Sequence, residues 1–269
     1  MNKSGFSYDG LRALSCDAFT KTGLVRHGFS TRKGGESKGA FSGLNLGRFT
    51  LDDRETVLEN YRLFCRDLGI APERLVVPRQ VHSKRVVPVG RKDAGKGLFR
   101  DSDLPELDGL ITNEPGVCLA TFYADCTPIL LLDPVKKAVA SIHSGWRGTL
   151  QKIAGEAVLC MQEQYGSDPA HILAAMGPSI KQCHFEVDED VYLAFREAFP
   201  ELIDECSLKK GQKYHIDTDA LNVDTLKRAG LTGEHISRCR DCTYCKSETY
   251  FSHRREGSTG RMCAVIELI

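Results

Sequence analysis

The sequence of 269 residues has no net charge and no long hydrophobic run. Its 36 basic side chains match its 36 acidic ones, so it lacks the cationic surplus that nonspecific binding to nucleic acid or to an anionic membrane requires. Apolar stretches such as Ile172 to Met176 are far shorter than the roughly 20 residues that span a bilayer. Met1 to Gly10 lacks the apolar core of a signal peptide. These absences predict a cytoplasmic protein that binds neither nucleic acid nor a membrane.

The sequence also lacks internal repeats, low-complexity tracts and any Pro/Ser-rich linker. A single domain over residues 1–269 is therefore expected. The eleven cysteines are scattered from Cys16 to Cys263, in a chain without an export signal and long enough to bury a core unaided. Most of them are expected to be reduced and buried, which leaves a minority for metal binding or catalysis.

Short β-branched runs alternate with segments of helical periodicity, which predicts an α/β fold with large mixed sheets. The clearest helix follows the potential cap Asp53, because Val57, Tyr61, Phe64 and Leu68 share one face. Helices are predicted over 53–68, 146–165, 188–199 and 219–229. Strands are predicted over 24–30, 85–87, 108–112, 117–123, 129–132, 138–143, 171–175 and 262–268.

Three metal-ligand side chains stand where a predicted strand meets a turn, which is a usual place for functional groups. They are His82, Cys126 and His143. Two imidazoles and one thiolate suit zinc, and three protein ligands leave a fourth position for water or substrate, as in catalytic sites. On the pattern alone, the alternative is two hydrogen-bonded histidines and a buried thiol. The pattern also allows a cysteine hydrolase, with Cys126 as nucleophile, His143 as base and Asp125 as the orienting acid.

The segment after His143 predicts a phosphate site. Residues 144–149, Ser-Gly-Trp-Arg-Gly-Thr, form a small-residue turn that leads into a helix. Free N–H groups at a helix start and the guanidinium fork of Arg147, together with the Ser144 hydroxyl, are suited to an anion. The alternative is an ordinary strand-to-helix turn in which Arg147 pairs with a surface carboxylate.

The C-terminal run Cys239, Cys242 and Cys245 resembles half of a zinc knuckle, with His253 and Cys263 as conceivable further ligands. Free thiols are the alternative, since no separate second CxxC pair exists outside this run. A non-catalytic protein with a closed zinc site is a further hypothesis. It requires a fourth ligand for the first trio, for which His184, His215 and His253 are the candidates.

At these residues the sequence resembles the laccase-domain family of purine nucleoside phosphorylases, also labelled polyphenol oxidases or peptidoglycan-editing factors. The matching segments follow the family order over almost the whole chain, and the tryptophan motif after His143 is the most specific. They are residues 27–32 with 34–35, 43–47, 80–82, 108–112, 124–128, 143–149, 177–180 and 251–255 with 259–261.

The resemblance implies a four-layer α/β/β/α sandwich and a zinc site formed by His82, Cys126 and His143. It also implies phosphorolysis of adenosine, inosine and methylthioadenosine, together with deamination of adenosine. The expected partners are therefore purine nucleosides and phosphate, with Zn²⁺ as the metal and Cu²⁺ as an alternative. In deamination, Asp125 is the candidate acid that protonates the departing ammonia. A monomer or a weak homo-oligomer is expected.

The sequence departs from the family pattern at two places. The family often has Asn-Arg in the first long helix where this chain has Asn60-Tyr61-Arg62, so Arg62 is left outside the predicted site. The cysteine run also exceeds the pattern, in which only the counterpart of Cys242 is expected.

The family is also labelled as oxidases, and multicopper oxidase activity requires a specific set of copper ligands. Multicopper oxidation of phenols needs about ten histidines and a cysteine in paired His-x-His patterns. This chain has 8 histidines and no such pair. A laccase proper is thereby excluded, while weak copper-dependent oxidation at the trio stays an alternative.

Overall fold

The computed structural model describes residues 5–269, and the strands lie throughout this range. They are β1 (Phe6–Asp9), β2 (Ala13–Cys16), β3 (Val25–Ser30), β4 (Leu75–Val76), β5 (Val86–Pro88), β6 (Gly109–Thr112), β7 (Cys118–Tyr123), β8 (Thr127–Asp133), β9 (Ala138–Ser144), β10 (Leu173–Met176), β11 (Glu186–Val187), β12 (Ser207–Lys210), β13 (Lys213–Ile216), β14 (Ile236–Arg238) and β15 (Met262–Leu268).

The helices connect and cover these strands. They are α1 (Asp17–Thr22), α2 (Arg54–Leu68), α3 (Trp146–Leu150), α4 (Ile153–Tyr165), α5 (Glu189–Ala198), α6 (Ile203–Cys206), α7 (Thr218–Arg228) and α8 (His253–Glu256). No helix within residues 5–269 is both long and apolar enough to cross a membrane.

Two six-stranded mixed sheets form the centre of the molecule. The first has the order β1-β2-β3-β15-β7-β4, and the second has the order β14-β10-β8-β9-β6-β5. Most neighbours are antiparallel, but β4 with β7, β5 with β6 and β10 with β14 are parallel. A separate three-stranded sheet, β11-β13-β12, lies beside them.

Both faces of the central strands are buried, which explains their nearly continuous apolar sequence. In β8, Leu130 and Leu132 point into the core between the sheets, whereas Ile129 and Leu131 point to the opposite face. The alternation follows from the period of two along a strand. Each sheet therefore needs a second covering layer on its outer face.

Helices supply these outer layers. The apolar face of α2, which includes Val57, Tyr61 and Phe64, covers the first sheet. The second sheet is covered by α4 and by Leu226 of α7. The order helix, sheet, sheet, helix confirms the predicted four-layer α/β/β/α sandwich.

The predicted helix over 146–165 is in fact two helices. The chain breaks at Lys152, which has a left-handed φ of 60°. The break has a packing reason, because Trp146 and Leu150 pack on the cluster beneath the small sheet, whereas Ile153 packs on the second large sheet. Two separate cores thus divide what the periodicity predicted as one helix.

Candidate active site

The three predicted metal ligands converge beside the start of β8 and the end of β9, two central strands of the second sheet. The donor atoms of His82, Cys126 and His143 all lie within 4.8 Å of one another. Cys126 occupies the turn between β7 and β8, and His143 lies near the end of β9. The β8–β9 register pairs Thr127 with Ser144, so it brings the Cys126 turn beside the end of β9.

His82 reaches the cluster from an irregular loop rather than from the end of a strand, because β4 stops at Val76. The Gln80 side chain replaces the missing strand pairing, since its amide exchanges two 2.8 Å hydrogen bonds with the backbone of Phe122. His82 itself has a left-handed φ of 61°. Such backbone conformations are costly for non-glycine residues and concentrate at functional sites.

Asp108 is fully buried and holds both histidines in place. Its carboxylate accepts hydrogen bonds from the backbone N–H groups of His82 at 3.0 Å and Ser83 at 2.6 Å. Its Oδ1 also lies 2.8 Å from Nδ1 of His143, which leaves Nε2 of that ring for another partner. A carboxylate behind a ligating histidine fixes its tautomer and orientation and is typical of metal sites.

The cluster perturbs its own pKa values. Burial alone lowers the pKa of His143, but the electrostatic interaction with the adjacent Cys126 side chain and the hydrogen bond with Asp108 outweigh it and raise the pKa to about 9. Burial, followed by the neighbouring His143, lowers the pKa of His82. Burial favours protonation of Asp108, yet its hydrogen bond with His143 leaves its pKa lowered. Two rings in contact with opposite shifts are characteristic of a functional site.

The donor set fits a metal ion. Nδ1 of His82 is buried and has no hydrogen-bond partner among residues 5–269, and buried polar atoms are rarely left so. A Cβ at Gly145 would lie 2.3 Å from this nitrogen and 3.3 Å from Sγ of Cys126. The backbone thus approaches the donors as closely as glycine permits. Imidazole and thiolate donors are those that Zn²⁺ prefers.

The trio opens into a cavity of about 310 Å³, a volume at the lower end of the range for small-molecule sites. Trp146, Ile180 and Phe185 give it apolar walls, and Arg254 gives it a cationic side chain. The lining is completed by His82, Ala124, Asp125, Cys126, Thr127, Ser144, Thr218 and His253. A larger cavity of about 650 Å³ lies elsewhere and touches none of the three ligands, so the chemistry points to the smaller one.

The two residues predicted to bind phosphate, Ser144 and Arg147, flank Gly145 and Trp146. The Ser144 hydroxyl is buried, 3.0 Å from the Thr149 hydroxyl and 3.0 Å from the Asn222 side-chain oxygen, and it lines the cavity. Arg147 is exposed, with its guanidinium 4.2 Å from the centre of the Trp146 ring. Trp146 therefore links Arg147 to the cavity wall.

Asp125 also lines the cavity, at a left-handed φ of 86°. Both carboxylate oxygens are engaged, Oδ1 by the Thr243 hydroxyl at 2.6 Å and Oδ2 by the backbone N–H of Arg254 at 2.7 Å. The carboxylate hydrogen-bonded to His143 is Asp108 and not Asp125. Asp125 thus ties the Cys126 turn to the C-terminal segment.

The other sequence candidates lie apart from the trio. Arg62 is exposed on α2 and pairs with Glu59 at 3.1 Å. His215 contacts the Gln182 carbonyl, and His253 contacts the Gly257 carbonyl. None of the three proposed fourth ligands joins the trio among residues 5–269, so the site keeps an open side.

The C-terminal cysteines do not form the predicted set. Cys239 and Cys263 are buried in separate cores. Cys242 and Cys245 instead meet Cys183 and His184, and the donor atoms of these four residues all lie within 4.8 Å of one another. Two residues of this four-residue group belong to the cysteine run singled out in the sequence, whereas the adjacent pair about sixty residues earlier has no spacing signal of its own.

Sequence reasoning also missed Asp108 as a site residue and Trp146 and Phe185 as cavity walls. Asp108 had a detectable signal, since it precedes a predicted strand within a matched motif. Its role depends on the pairing of β6 with β9, in which Gly109 lies opposite Ile142. Only that pairing brings Asp108 beside His143.

The fold and site define a class: a four-layer sandwich with a His₂Cys cluster that opens into a small cavity. The chain belongs to the family described as multi-copper polyphenol oxidoreductase laccase, whose model matches residues 26–269. This confirms the family resemblance drawn from the sequence motifs.

Relatives named as enzymes match nearly the whole chain. "Purine nucleoside phosphorylase YlmD" of Geobacillus stearothermophilus is 39% identical over 258 residues, which cover 94% of this chain and 93% of that protein. "Adenosine deaminase RL5" from an unknown prokaryotic organism is 37% identical, over 87% of this chain and 90% of that protein. The crystal structure of the Bacillus licheniformis hypothetical protein YfiH superposes with a TM-score of 0.93 at 34% identity, covering 98% and 99% of the two chains.

Proposed function

We propose that this protein is a zinc-dependent purine nucleoside phosphorylase that acts on adenosine, inosine and methylthioadenosine and also deaminates adenosine. The observation that carries the proposal is the convergence of His82, Cys126 and His143 beside an open cavity. The names of the relatives support the same two activities.

The donor set supports zinc more strongly than copper in a multicopper arrangement, because three ligands with one open side form a single-ion site. His82, Cys126 and His143 would hold the ion, and Asp108 would fix the His143 imidazole through Nδ1 and the His82 backbone through its N–H. A zinc ion with three protein ligands supplies Lewis acidity and lowers the pKa of a water at its open position to about 7. Copper bound by the same trio is the alternative and would support weak phenol oxidation.

The cavity walls suit a purine nucleoside. Trp146 and Phe185 offer aromatic surface for the flat base, and their apolar faces exclude water from the reacting bond. Phosphorolysis requires a phosphate oxygen to attack C1′ of the ribose while the purine leaves. We assign phosphate binding to the Ser144 hydroxyl and the Arg147 guanidinium, which can donate charge-assisted hydrogen bonds to the anion. In deamination, Asp125 remains the candidate that protonates the departing ammonia.

The decisive experiment is a chromatographic assay of adenosine with purified protein of known metal content, run with and without phosphate. We expect adenine and ribose 1-phosphate only in the presence of phosphate, and inosine in both reactions. Full phosphorolysis by metal-free protein would contradict the zinc dependence. Absence of any product from zinc-loaded protein would contradict the function itself.

Substitution of Arg147 separates the two activities. Arg147→Ala is expected to raise the apparent KM for phosphate and to leave deamination largely intact, because only phosphorolysis uses the anion. Steady-state kinetics of both reactions measures the difference. Arg79→Ala is the matched control, since Arg79 is exposed and pairs with Glu106 outside the cavity. Equal loss of both activities would mean that Arg147 acts structurally.

A second function has one specific observation in its favour. The donor atoms of Cys126 and His143 lie within 4.8 Å of each other, and His143 in turn contacts Asp108. This order resembles the nucleophile, base and acid of a cysteine hydrolase. Asp108 then takes the orienting role that the sequence suggested for Asp125. An amide or a peptidoglycan precursor would be the substrate. Inactivation by iodoacetamide of protein shown to lack metal, together with amide hydrolysis, would favour this function.

A further inference from the structure

A second group of metal-ligand side chains lies outside the cavity and has no part in the chemistry above. It comprises Cys183, His184, Cys242 and Cys245, called here the Cys₃His cluster. Cys242 is buried, His184 is half-buried, and Cys183 and Cys245 are exposed. Two loops meet in this cluster: the segment between β10 and β11, and the segment between β14 and α8.

The distances within the Cys₃His cluster match a tetrahedral site. Sγ of Cys183 lies 3.7 Å from Sγ of Cys242 and 3.8 Å from Sγ of Cys245. Zinc–sulfur bonds of about 2.3 Å at tetrahedral angles place two sulfurs about 3.8 Å apart. Nδ1 of His184 lies 3.2 Å from Sγ of Cys183 and 3.3 Å from Sγ of Cys245. All four donors therefore converge on one point.

The surroundings orient the donors and balance the charge of thiolates. The His184 ring stacks on Tyr244, with centroids 4.0 Å apart and planes 16° apart, which holds Nδ1 toward the sulfurs. The backbone N–H of Lys181 donates to Sγ of Cys242 at 3.5 Å. The Arg254 guanidinium donates to the His184 carbonyl at 3.3 Å. Hydrogen bonds to thiolates and nearby cations are the usual outer contacts of such a site.

We propose that the Cys₃His cluster is a second, closed metal site that binds Zn²⁺ through four protein ligands. Three thiolates and one imidazole are a structural zinc set, with no position left for substrate. The site is therefore chemically distinct from the open trio of the cavity, and the proposal does not depend on the enzymatic function.

The position of the cluster indicates what the metal would stabilise. Both loops also contact the Cys126 turn, because the Ile180 N–H donates to the Asp125 carbonyl at 2.8 Å and the Thr243 hydroxyl donates to the Asp125 carboxylate. Ile180 and Phe185, which flank Cys183 and His184 in sequence, line the cavity. A metal ion here would fasten the two loops that form one wall of the cavity.

The test is the metal content of the purified 269-residue protein in reducing buffer, measured by elemental mass spectrometry. Since each site binds one ion, we expect about two zinc ions per chain in the wild type and about one in Cys245→Ser or Cys183→Ser. Cys126→Ser is expected to retain about one ion, in the second site. Cys239→Ala is the matched control within the same cysteine run, and it should keep the wild-type content.

X-ray absorption of the zinc in Cys126→Ser identifies the ligands even if a cluster variant fails to fold. Three sulfur neighbours and one nitrogen neighbour would support the proposal. A Cys126→Ser protein without zinc, or a wild type whose zinc content equals that of Cys245→Ser, would overturn it. Recovery of a Cys183–Cys245 disulfide from wild-type protein kept in reducing buffer would also overturn it.

Discussion

A single buried carboxylate, Asp108, organises the candidate site at the scale of residues. It holds the His82 loop by accepting hydrogen bonds from the backbone N–H groups of Val81, His82 and Ser83, and it fixes the His143 ring through Nδ1. A buried carboxylate is stable only when it is well hydrogen-bonded, and here the bonds go to the ring of His143 and to the loop that carries His82. The residue thus couples local stability to the geometry of the donors.

Asp108→Asn tests this positioning role. The amide keeps the shape but loses the charge that favours the hydrogen bond with His143, so metal affinity at the trio is expected to fall by about 10- to 100-fold. Competition with a chelator measures the affinity. Asp133→Asn is the control, since Asp133 is a buried carboxylate at the end of β8 that contacts the Val135 backbone instead of the site. Equal affinities of the Asp108→Asn and wild-type proteins would refute the role.

Gly145→Ala tests how tightly the backbone approaches the donors. The φ of −73° at Gly145 is open to any residue, so the fold should tolerate alanine. The new Cβ would meet Nδ1 of His82 at 2.3 Å, and we expect loss of the metal from the trio and of both activities. Gly155→Ala in α4 is the control, because its Cβ would contact only Thr225 at 3.3 Å. Metal content and circular dichroism together separate lost binding from lost folding.

Site residues differ in how far the sequence predicts them. Cys126 and His143 stand beside strong apolar runs, so their position at strand ends is visible in the pattern. Asp108 and the Cys₃His cluster depend on the pairing of distant segments. His184 in particular joins Cys242 across more than fifty residues, and local periodicity carries no information about such a contact.

At the scale of elements, strong periodicity and burial decide what the sequence predicts. The eight predicted strands and the helices near 53–68, 188–199 and 219–229 are confirmed, with small shifts at their ends. The missed strands are short and partly polar, such as β4 with two residues and β12, which reads Ser-Leu-Lys-Lys. Their conformation is set by neighbouring strands and not by their own pattern.

The break between α3 and α4 yields a prediction at this scale. Lys152 has a left-handed conformation, which disfavours residues with a Cβ by roughly 1 kcal/mol or more. Relief of this strain in Lys152→Gly is expected to raise the free energy of unfolding by about 1 kcal/mol. The greater conformational entropy that glycine gives to the unfolded chain offsets part of this gain. Lys152→Ala retains the strain and removes the contact with Phe199, so it serves as the control. Chemical denaturation of the two variants measures the difference, and a less stable glycine variant would contradict the account.

At the scale of the whole molecule, the two stacked sheets form a buried core, and exposed side chains lie in the loops around it. Seven of the eleven cysteines, all of which lie within residues 5–269, are buried, which confirms the expectation that most of the thiols are interior. The exposed ones, Cys183 and Cys245, both belong to the Cys₃His cluster. The general architecture could be predicted from the apolar runs and the family resemblance. The second cluster could not, because it forms only where two loops that are distant in sequence meet in the folded chain.

A buried histidine in the core, His27, predicts how the stability of the fold depends on pH. His27 in β3 is 5% exposed, and its Nε2 accepts a 2.8 Å hydrogen bond from the Cys16 N–H. Burial lowers the pKa of His27 from 6.5 to about 4, so the folded protein holds the neutral ring. Between pH 4 and pH 6.5 the His27 ring is therefore protonated in the unfolded chain but neutral in the folded protein. The stabilisation is therefore complete above about pH 6.5 and is lost as the pH falls toward 4.

His27→Gln isolates this contribution, because the amide oxygen can accept the same hydrogen bond without titrating. The wild type is expected to lose about 3 kcal/mol more than the variant between pH 7 and pH 4, since each pKa unit corresponds to about 1.4 kcal/mol. Urea denaturation across this range measures both curves. His171→Gln is the control, because His171 is exposed, and it should follow the wild type. Parallel curves for the wild type and His27→Gln would mean that the buried ring does not govern the acid sensitivity of the fold.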